Sequence, residues 1–315
     1  MLTPDQTLPS GEQWTIRFDD HEVVVVEVGG GVRTYTAGGS DVLAGYLPEA
    51  QCSGGRGQLL MPWPNRIRDG RYSFAGRDHQ LALTEPARGH AIHGLVRWAT
   101  WSILEHTEST ITLVCRLRPQ PGWGWSLDLS ITYTLTAQGL IVTPRAVNVG
   151  SGAAPFGFGA HPYLSVGEDR VDEVRLGIPA GSLLEVDDRL LPKGLAAVEG
   201  TDRDFREPRV LGGTALDTAY TNIAADVDGR WRVTLSHAPS AQAPSRRAVT
   251  LWADATAYPW LQVFTGDSLP LVGRRTSGIA VEPMTCPPDA FNSGDDLLVL
   301  EPGQEFAASW GITPG

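Results

Sequence analysis

The chain has 315 residues, of which 42% are apolar, 19% charged and 8% aromatic, with 36 glycines and 23 prolines. That apolar fraction supplies a packed core and excludes a disordered chain, and the length fits one large β domain over 1–315. The formal net charge of −11 disfavours nucleic acid and anionic membrane as partners, because like charges repel over a Debye length of roughly 10 Å.

Three widely separated cysteines, Cys52, Cys115 and Cys286, give neither a disulfide framework nor a paired-cysteine zinc motif. Residues 1–14 lack the basic start and apolar stretch of a signal peptide, and the longest aliphatic run, 23–26, is far short of a membrane span. The expectation is a cytoplasmic protein with reduced thiols.

Taken in chain order, the hydrophobic period is mostly two. Residues 21–28 and 32–36, joined by three glycines, predict a hairpin, and 71–74 with 79–83 around Gly76 predict another. Strands follow over 100–105 and 110–117. The cleanest alternation is 126–136, where Leu127, Leu129, Ile131, Tyr133 and Leu135 interleave with Ser, Asp and Thr, as a strand with one buried face requires. Further strands are expected over 140–149, 173–178, 231–236, 248–252, 261–265, 278–282, 297–301 and 305–310. The 238–247 segment reads as a long exposed loop. Amphipathic helices of three turns are missing because Gly or Pro interrupts most windows. Many short strands separated by turn residues predict an all-β fold, a large antiparallel β-sandwich.

Four segments place polar side chains in stiff, Gly- and Pro-rich surroundings, where function concentrates. In 57–72, GQLLMPWPNRIRDGRY, Arg66 offers a planar set of donors that grips two vicinal hydroxyls or a carboxylate, although pairing with one of the chain's many acids is equally natural. In 88–98, RGHAIHGLVRW, His90 and His93 stand three apart; no third ligand is spaced nearby and the pattern is not helical, so no metal is expected. His93 can instead present a ring nitrogen to a ligand oxygen. In 154–164, APFGFGAHPYL, His161 closes an apolar strand and precedes Pro162; its imidazole titrates near neutrality and can act as an acid. In 278–292, GIAVEPMTCPPDAFN, Glu282 ends a strand beside Pro283, and partial burial would raise its pKa toward that of a useful base. Asp217, in TALDTAY, is a fifth candidate on an expected exposed loop. Nucleotide-binding glycine motifs, a nucleophile elbow and a zinc-protease helix are absent.

In this order the residues spell a pattern. Asn65-Arg66-Ile67, Ile92-His93-Gly94, Gly159-Ala160-His161-Pro162-Tyr163, Leu216-Asp217, and Glu282 with Pro288-Asp289-Ala290 and Asn292 resemble the aldose 1-epimerases, or galactose mutarotases, from about residue 57 to the C-terminus. MPWPNRI, HAIHGLVRW and EPMTCPPDAFN are most similar to a bacterial subgroup that includes sulfoquinovose mutarotase. The resemblance implies a large antiparallel β-sandwich with a sugar cleft on a concave sheet face, a small-molecule sugar as partner and no cofactor. It implies His161 as general acid, Glu282 as general base, and Arg66, His93 and Asp217 as substrate-positioning groups. Two departures lie beside the pair and leave it intact: Ala160 with Pro162-Tyr163-Leu164 flank His161, and the segment from Glu282 to Asp289 is one residue longer.

The implied chemistry is interconversion of α and β anomers, with acid and base on opposite sides of the sugar ring. Trp63, Trp123 or Trp125 would lie against sugar C–H faces, and Arg66, Arg68 and Arg97 would form a cationic pocket for a phosphorylated or sulfonated sugar. A non-catalytic sugar-binding protein on the same scaffold is one alternative. A glycoside hydrolase, for which only Glu282 and Asp217 offer the two carboxylates that chemistry needs, is another.

Overall fold

Alternation along the sequence becomes a half-buried strand wherever one face meets the core. Leu127–Thr136 shows it residue by residue, buried and half-buried in strict turn. The computed structural model describes residues 8–167, 170–237, 247–270, 275–276 and 278–315. Residues 1–7 and most of the expected 238–247 loop lie outside these.

Two large sheets dominate. A ten-stranded sheet runs in the order Ser102–His106, Thr110–Leu117, Leu127–Thr136, Gly139–Asn148, Trp310–Pro314, Arg247–Asp254, Arg230–His237, Arg175–Gly177 and Arg209–Val210, with Glu305–Ala307 also paired to Gly139–Asn148. An eight-stranded sheet runs Pro192–Ala197, Ala180–Val186, Asp217–Ile223, Trp260–Phe264, Ile279–Met284, Gly159–Ala160 and Leu59–Leu60, with Tyr163–Leu164 also on Ile279–Met284. The pairings are antiparallel, so the β-sandwich expected from the sequence is present. Leu129 and Ile131 from the first sheet join Leu261, Val263 and Val281 from the second in one buried cluster. A four-stranded sheet, Gln13–Phe18 to Ser40–Asp41, packs at the N-terminal end.

Several sequence expectations shift. The second strand of the second hairpin is Arg77–Gln80, two residues earlier than expected, and pairs with Arg71–Phe74. Residues 305–310 form two strands, Glu305–Ala307 and Trp310–Pro314, and 173–178 opens with a 3-10 turn. Unforeseen strands include Gln13–Phe18, Ala180–Val186, Pro192–Ala197 and Asp217–Ile223. Pro192–Ala197, with the sequence PKGLAA, has little intrinsic strand preference and exists as a mostly exposed edge. Asp217–Ile223 holds four consecutive buried residues, so no period of two marks it. Among the described residues, no helix is long and apolar enough to cross a membrane, which says nothing of strand-built spans.

Candidate active site

The eight-stranded sheet brings the chemistry together by register. Gln262 stands opposite both Glu282 and Ala219, which puts Asp217, Gln262 and Glu282 on one face of three adjacent strands. Val281 and Val263 face the core from the other side. Glu282 lies inside Ile279–Met284, not at its end as expected, because the ladder continues through Pro283 to Met284. Asp217, expected on an exposed loop, is half-buried and opens its strand.

His161 follows Gly159–Ala160 directly, its N–H donating to the Gln58 carbonyl (3.0 Å) and its carbonyl accepting from the Gly57 N–H (2.9 Å). Its ring stacks on Tyr163 at 5.2 Å between centroids, and Tyr163 is anchored by donating to the Gly54 carbonyl at 2.7 Å. Gly55 lies against the ring: a Cβ there would sit 2.8 Å from His161 Cδ2. His161 Nε2 ends 3.3 Å from Glu282 Oε1, with both side chains almost wholly buried.

Arg66, His93 and Asp217 converge on the same point. With Asn65, Glu85, Arg88, Gln262 and Phe264 they line a pocket of about 150 Å³ that includes His161 and Glu282. Arg66 forms a bidentate pair with Glu85 (Nε to Oε2 2.8 Å, Nη2 to Oε1 3.0 Å) and a third bond from Nη1 to Asn65 Oδ1. Gln262 Nε2 donates to Asp217 Oδ1 at 2.6 Å, while Gln262 Oε1 and Glu282 Oε2 are buried with no partner among the described residues. Unsatisfied buried acceptors in a pocket are what an incoming hydroxyl would satisfy. Asn65, His93 and Asp289, all non-glycine, adopt left-handed backbone with φ of 53°, 63° and 62°. The adjacent Gly94 admits no side chain, since a Cβ would meet the Met61 carbonyl oxygen at 2.0 Å.

Burial dominates the electrostatics. It lowers His161 to a pKa of about 3, aided by the charges of Arg97 and Arg56, while its own backbone carbonyl opposes. It pushes Glu282 well above the usual carboxyl range, reinforced by Asp217 and opposed by Arg66. His93 is held well below its usual value by burial and then by Arg97, His161 and Arg66.

His93, His161 and Glu282 offer ligand atoms within 4.8 Å of one another, a spacing open to a metal ion. The hydrogen bonding does not fit one. His93 Nδ1 accepts the Asn65 N–H at 3.2 Å, so the neutral ring carries its proton on Nε2 and can only donate from that side. His90 stands apart: its Nδ1 accepts from the Asp69 N–H and its Nε2 faces the Arg189 carbonyl, as in a satisfied core histidine.

Three other expectations fail. Trp63 and Trp123 are core residues, 2% and 1% exposed, and Trp125 packs on Phe74 and His79; the aromatic wall of the pocket is Phe264. Arg66, Arg68 and Arg97 do not form one cationic cluster, because Glu85 takes Arg66 and Asp289 takes Arg68. His161 and Glu282 also touch each other, where they were expected to flank a ring from opposite sides. Gln262 and Glu85 were missed: Gln262 sits in the apolar-looking run WLQVF, and Glu85 in an ordinary turn, TEPARG.

The chain matches the sequence pattern of the family described as aldose 1-epimerase over residues 12–313. YihR, an uncharacterized protein of Escherichia coli K12, is 36% identical over 296 residues, 94% of this chain and 91% of YihR. YphB of the same organism is 24% identical over 255 residues, 80% of this chain and 81% of YphB. The solved GalM/aldose epimerase homologue of C. elegans superposes with a TM-score of 0.82 at 19% identity, covering 96% of this chain and 98% of that one. Galactose 1-epimerase of Lactobacillus acidophilus NCFM superposes with a TM-score of 0.78 at 21% identity, covering 96% and 94%. At these identities the structural likeness is one of fold, and the family rests on the match along the sequence. This chain belongs to the aldose 1-epimerase family.

Proposed function

We propose that the chain interconverts the α and β anomers of a free aldose, with Glu282 as general base and His161 as general acid. Glu282 takes the proton of the anomeric hydroxyl while His161 gives one to the ring oxygen, and the C1–O5 bond breaks to leave an open aldehyde. Rotation about C1–C2 presents the other carbonyl face, and the ring recloses with the roles reversed. Atoms and electrons balance without redox change.

The contact between His161 Nε2 and Glu282 Oε1 at 3.3 Å inside one small pocket carries this reading. The hydroxyl and the ring oxygen are bonded to the same carbon, so an acid and a base within reach of each other serve both; opposite faces are not required. The imidazolium–carboxylate form that reacts and the doubly neutral form that burial favours contain the same number of protons. The pair therefore changes form by moving one proton along the contact, without exchange with solvent, and a sugar hydroxyl donating to Glu282 favours the charged form. Each positioned proton-transfer group contributes about 10²–10⁴-fold. Arg66, Asp217 and the Nε2–H of His93 would hold spectator hydroxyls, with Gln262 fixing Asp217.

Arg56 and Arg97 both lie close enough to His161 to depress its pKa, and among the described residues neither meets a carboxylate within ion-pair distance. Neither lines the pocket, so what they offer an anionic substituent is positive potential and not a direct contact. The test is an NMR exchange panel over glucose, galactose, glucose 6-phosphate and sulfoquinovose. Acceleration of at least one is expected, abolished in Glu282→Gln and in His161→Asn with the fold intact. Near-full activity in either variant defeats the role assignment, and tight sugar binding without exchange points to a binding protein. Release of reducing sugar from aryl glycosides points to a hydrolase.

A further inference from the structure

We propose that Glu85 is the positioning residue of this pocket: its one carboxylate fixes Arg66 and Arg88 on the wall and cancels the charge they would otherwise turn on Glu282. The inference rests on Glu282 being the base of the reaction proposed above.

Three bonds place Glu85 between two cations. Oε1 accepts from Arg66 Nη2 at 3.0 Å and from Arg88 Nη1 at 2.8 Å, and Oε2 accepts from Arg66 Nε at 2.8 Å. All three residues line the pocket, and the Glu85 and Arg66 side chains are 14% and 8% exposed. The Glu85 backbone is fixed in turn: its carbonyl accepts the N–H groups of Gly89 and His90 at 2.9 and 3.2 Å, and its N–H donates to the His90 carbonyl at 2.9 Å. Burial works against the Glu85 charge, yet the two guanidinium groups hold its carboxyl below the ordinary range. A bidentate fork fixes the plane of a guanidinium as well as its position, so Glu85 decides which edge of Arg66 is left for substrate. That edge carries Nη1, otherwise bonded among the described residues only to Asn65 Oδ1 at 3.3 Å.

The electrostatic half follows from the groups around Glu282. From neighbouring elements it meets Arg66, Asp217, His161 and His93. Arg66 is the cation that stabilises its charged form, and Asp217 opposes. With Glu85 ionised, the charge of Arg66 is largely cancelled at short range, so the pair keeps its shared proton and the Glu282 carboxylate, once formed, is strongly basic. Without it, Arg66 would stabilise the carboxylate and weaken the base.

The test uses the full chain with its glutamates 13C-labelled at Cδ, the Glu282 signal being assigned by its loss in Glu282→Gln. Glu85→Gln keeps the shape and removes the charge. It should shift the Glu282 titration, and with it the alkaline limb of kcat/KM where the pair loses its shared proton, down by about one pH unit. Glu85→Asp keeps the charge and shortens the reach: the titration should stay in place while KM rises roughly tenfold. Arg88→Ala removes one of the two cations and leaves the buried pair, so it should move the titration up. A Glu282 titration unmoved in Glu85→Gln overturns the proposal, as does one unmoved in Arg88→Ala should the first variant fail to fold. Because the titration needs no turnover, a protein that shifts as expected yet accelerates no sugar defeats the proposed function and leaves this inference standing.

Discussion

Leu127–Thr136 and Ile279–Met284 are both strands of large antiparallel sheets, and they solve different problems. The first buries one face: Leu127, Leu129, Ile131, Tyr133 and Leu135 are at most 2% exposed, and the residues between them are half-buried. The second is buried on both faces along its whole length and holds an ionisable group, Glu282, in the middle. In a strand of the first kind each apolar side chain contributes to stability, about 1.5–3 kcal/mol for full burial of a large one. In the second kind a buried carboxyl with one oxygen unpartnered among the described residues is a cost of about 1–3 kcal/mol, which the proposed function gives a reason to keep. Where a sheet covered on both sides keeps a polar residue on the face turned away from the core, chemistry is the first thing to look for.

The contrast can be broken most directly by exchanging one residue in each strand. Glu282→Gln should lower turnover by about 10²–10⁴-fold while leaving the melting temperature equal or higher, since an amide is cheaper to bury than a carboxyl. Ile131→Ala should do the reverse. About 2–5 kcal/mol of stability goes, read by denaturant unfolding, and activity below the transition remains. A large activity loss in Ile131→Ala, or a large stability loss in Glu282→Gln, would remove the distinction.

Gly55→Ala sharpens it on a smaller scale. The added methyl meets His161 Cδ2 at 2.8 Å, and the φ of +77° already disfavours a side chain. The ring has to shift, and turnover should fall by up to roughly a hundredfold, the effect of misplacing a reacting group by about 1 Å. The smallest effects are in pH dependence. His161 has its folded pKa lowered from 6.5 to about 3, so its contribution to stability is present above 6.5 and is lost as pH falls toward 3. Glu282 has its folded pKa raised, so its contribution is present below 4.5 and is lost as pH rises through the higher folded value. Melting temperature against pH should therefore lose part of its acid-side decline in His161→Asn and part of its alkaline-side decline in Glu282→Gln.

The same contrast explains what could be read in advance. The Leu127–Thr136 strand was visible because alternation is a local property of the chain. Residues His161, Glu282, Arg66 and His93 were visible as a set through the resemblance, since each is followed by a stiff or distinctive neighbour such as Pro162, Pro283, Ile67 or Gly94. Gln262 and Glu85 were not, because their placement comes from sheet register and from a partner elsewhere in the chain. The Asp217–Ile223 strand hid behind an uninterrupted buried run. The cationic cluster was misjudged because a sequence shows where charges are and not which of them neutralise each other.

The left-handed residues Asn65 and His93 line the cleft, and left-handed Asp289 donates its N–H to the Arg66 carbonyl beside it. Each such residue costs of order 1–3 kcal/mol, so the cheapest route to heat resistance runs through the loops that aim the reacting groups. A library screened for thermal survival alone should collect glycine first at His93, because the Asn65 and Asp289 side chains also bond Arg66 and Arg68, and should come out hardier and slower. Screened for turnover instead, the same library should keep all three in place.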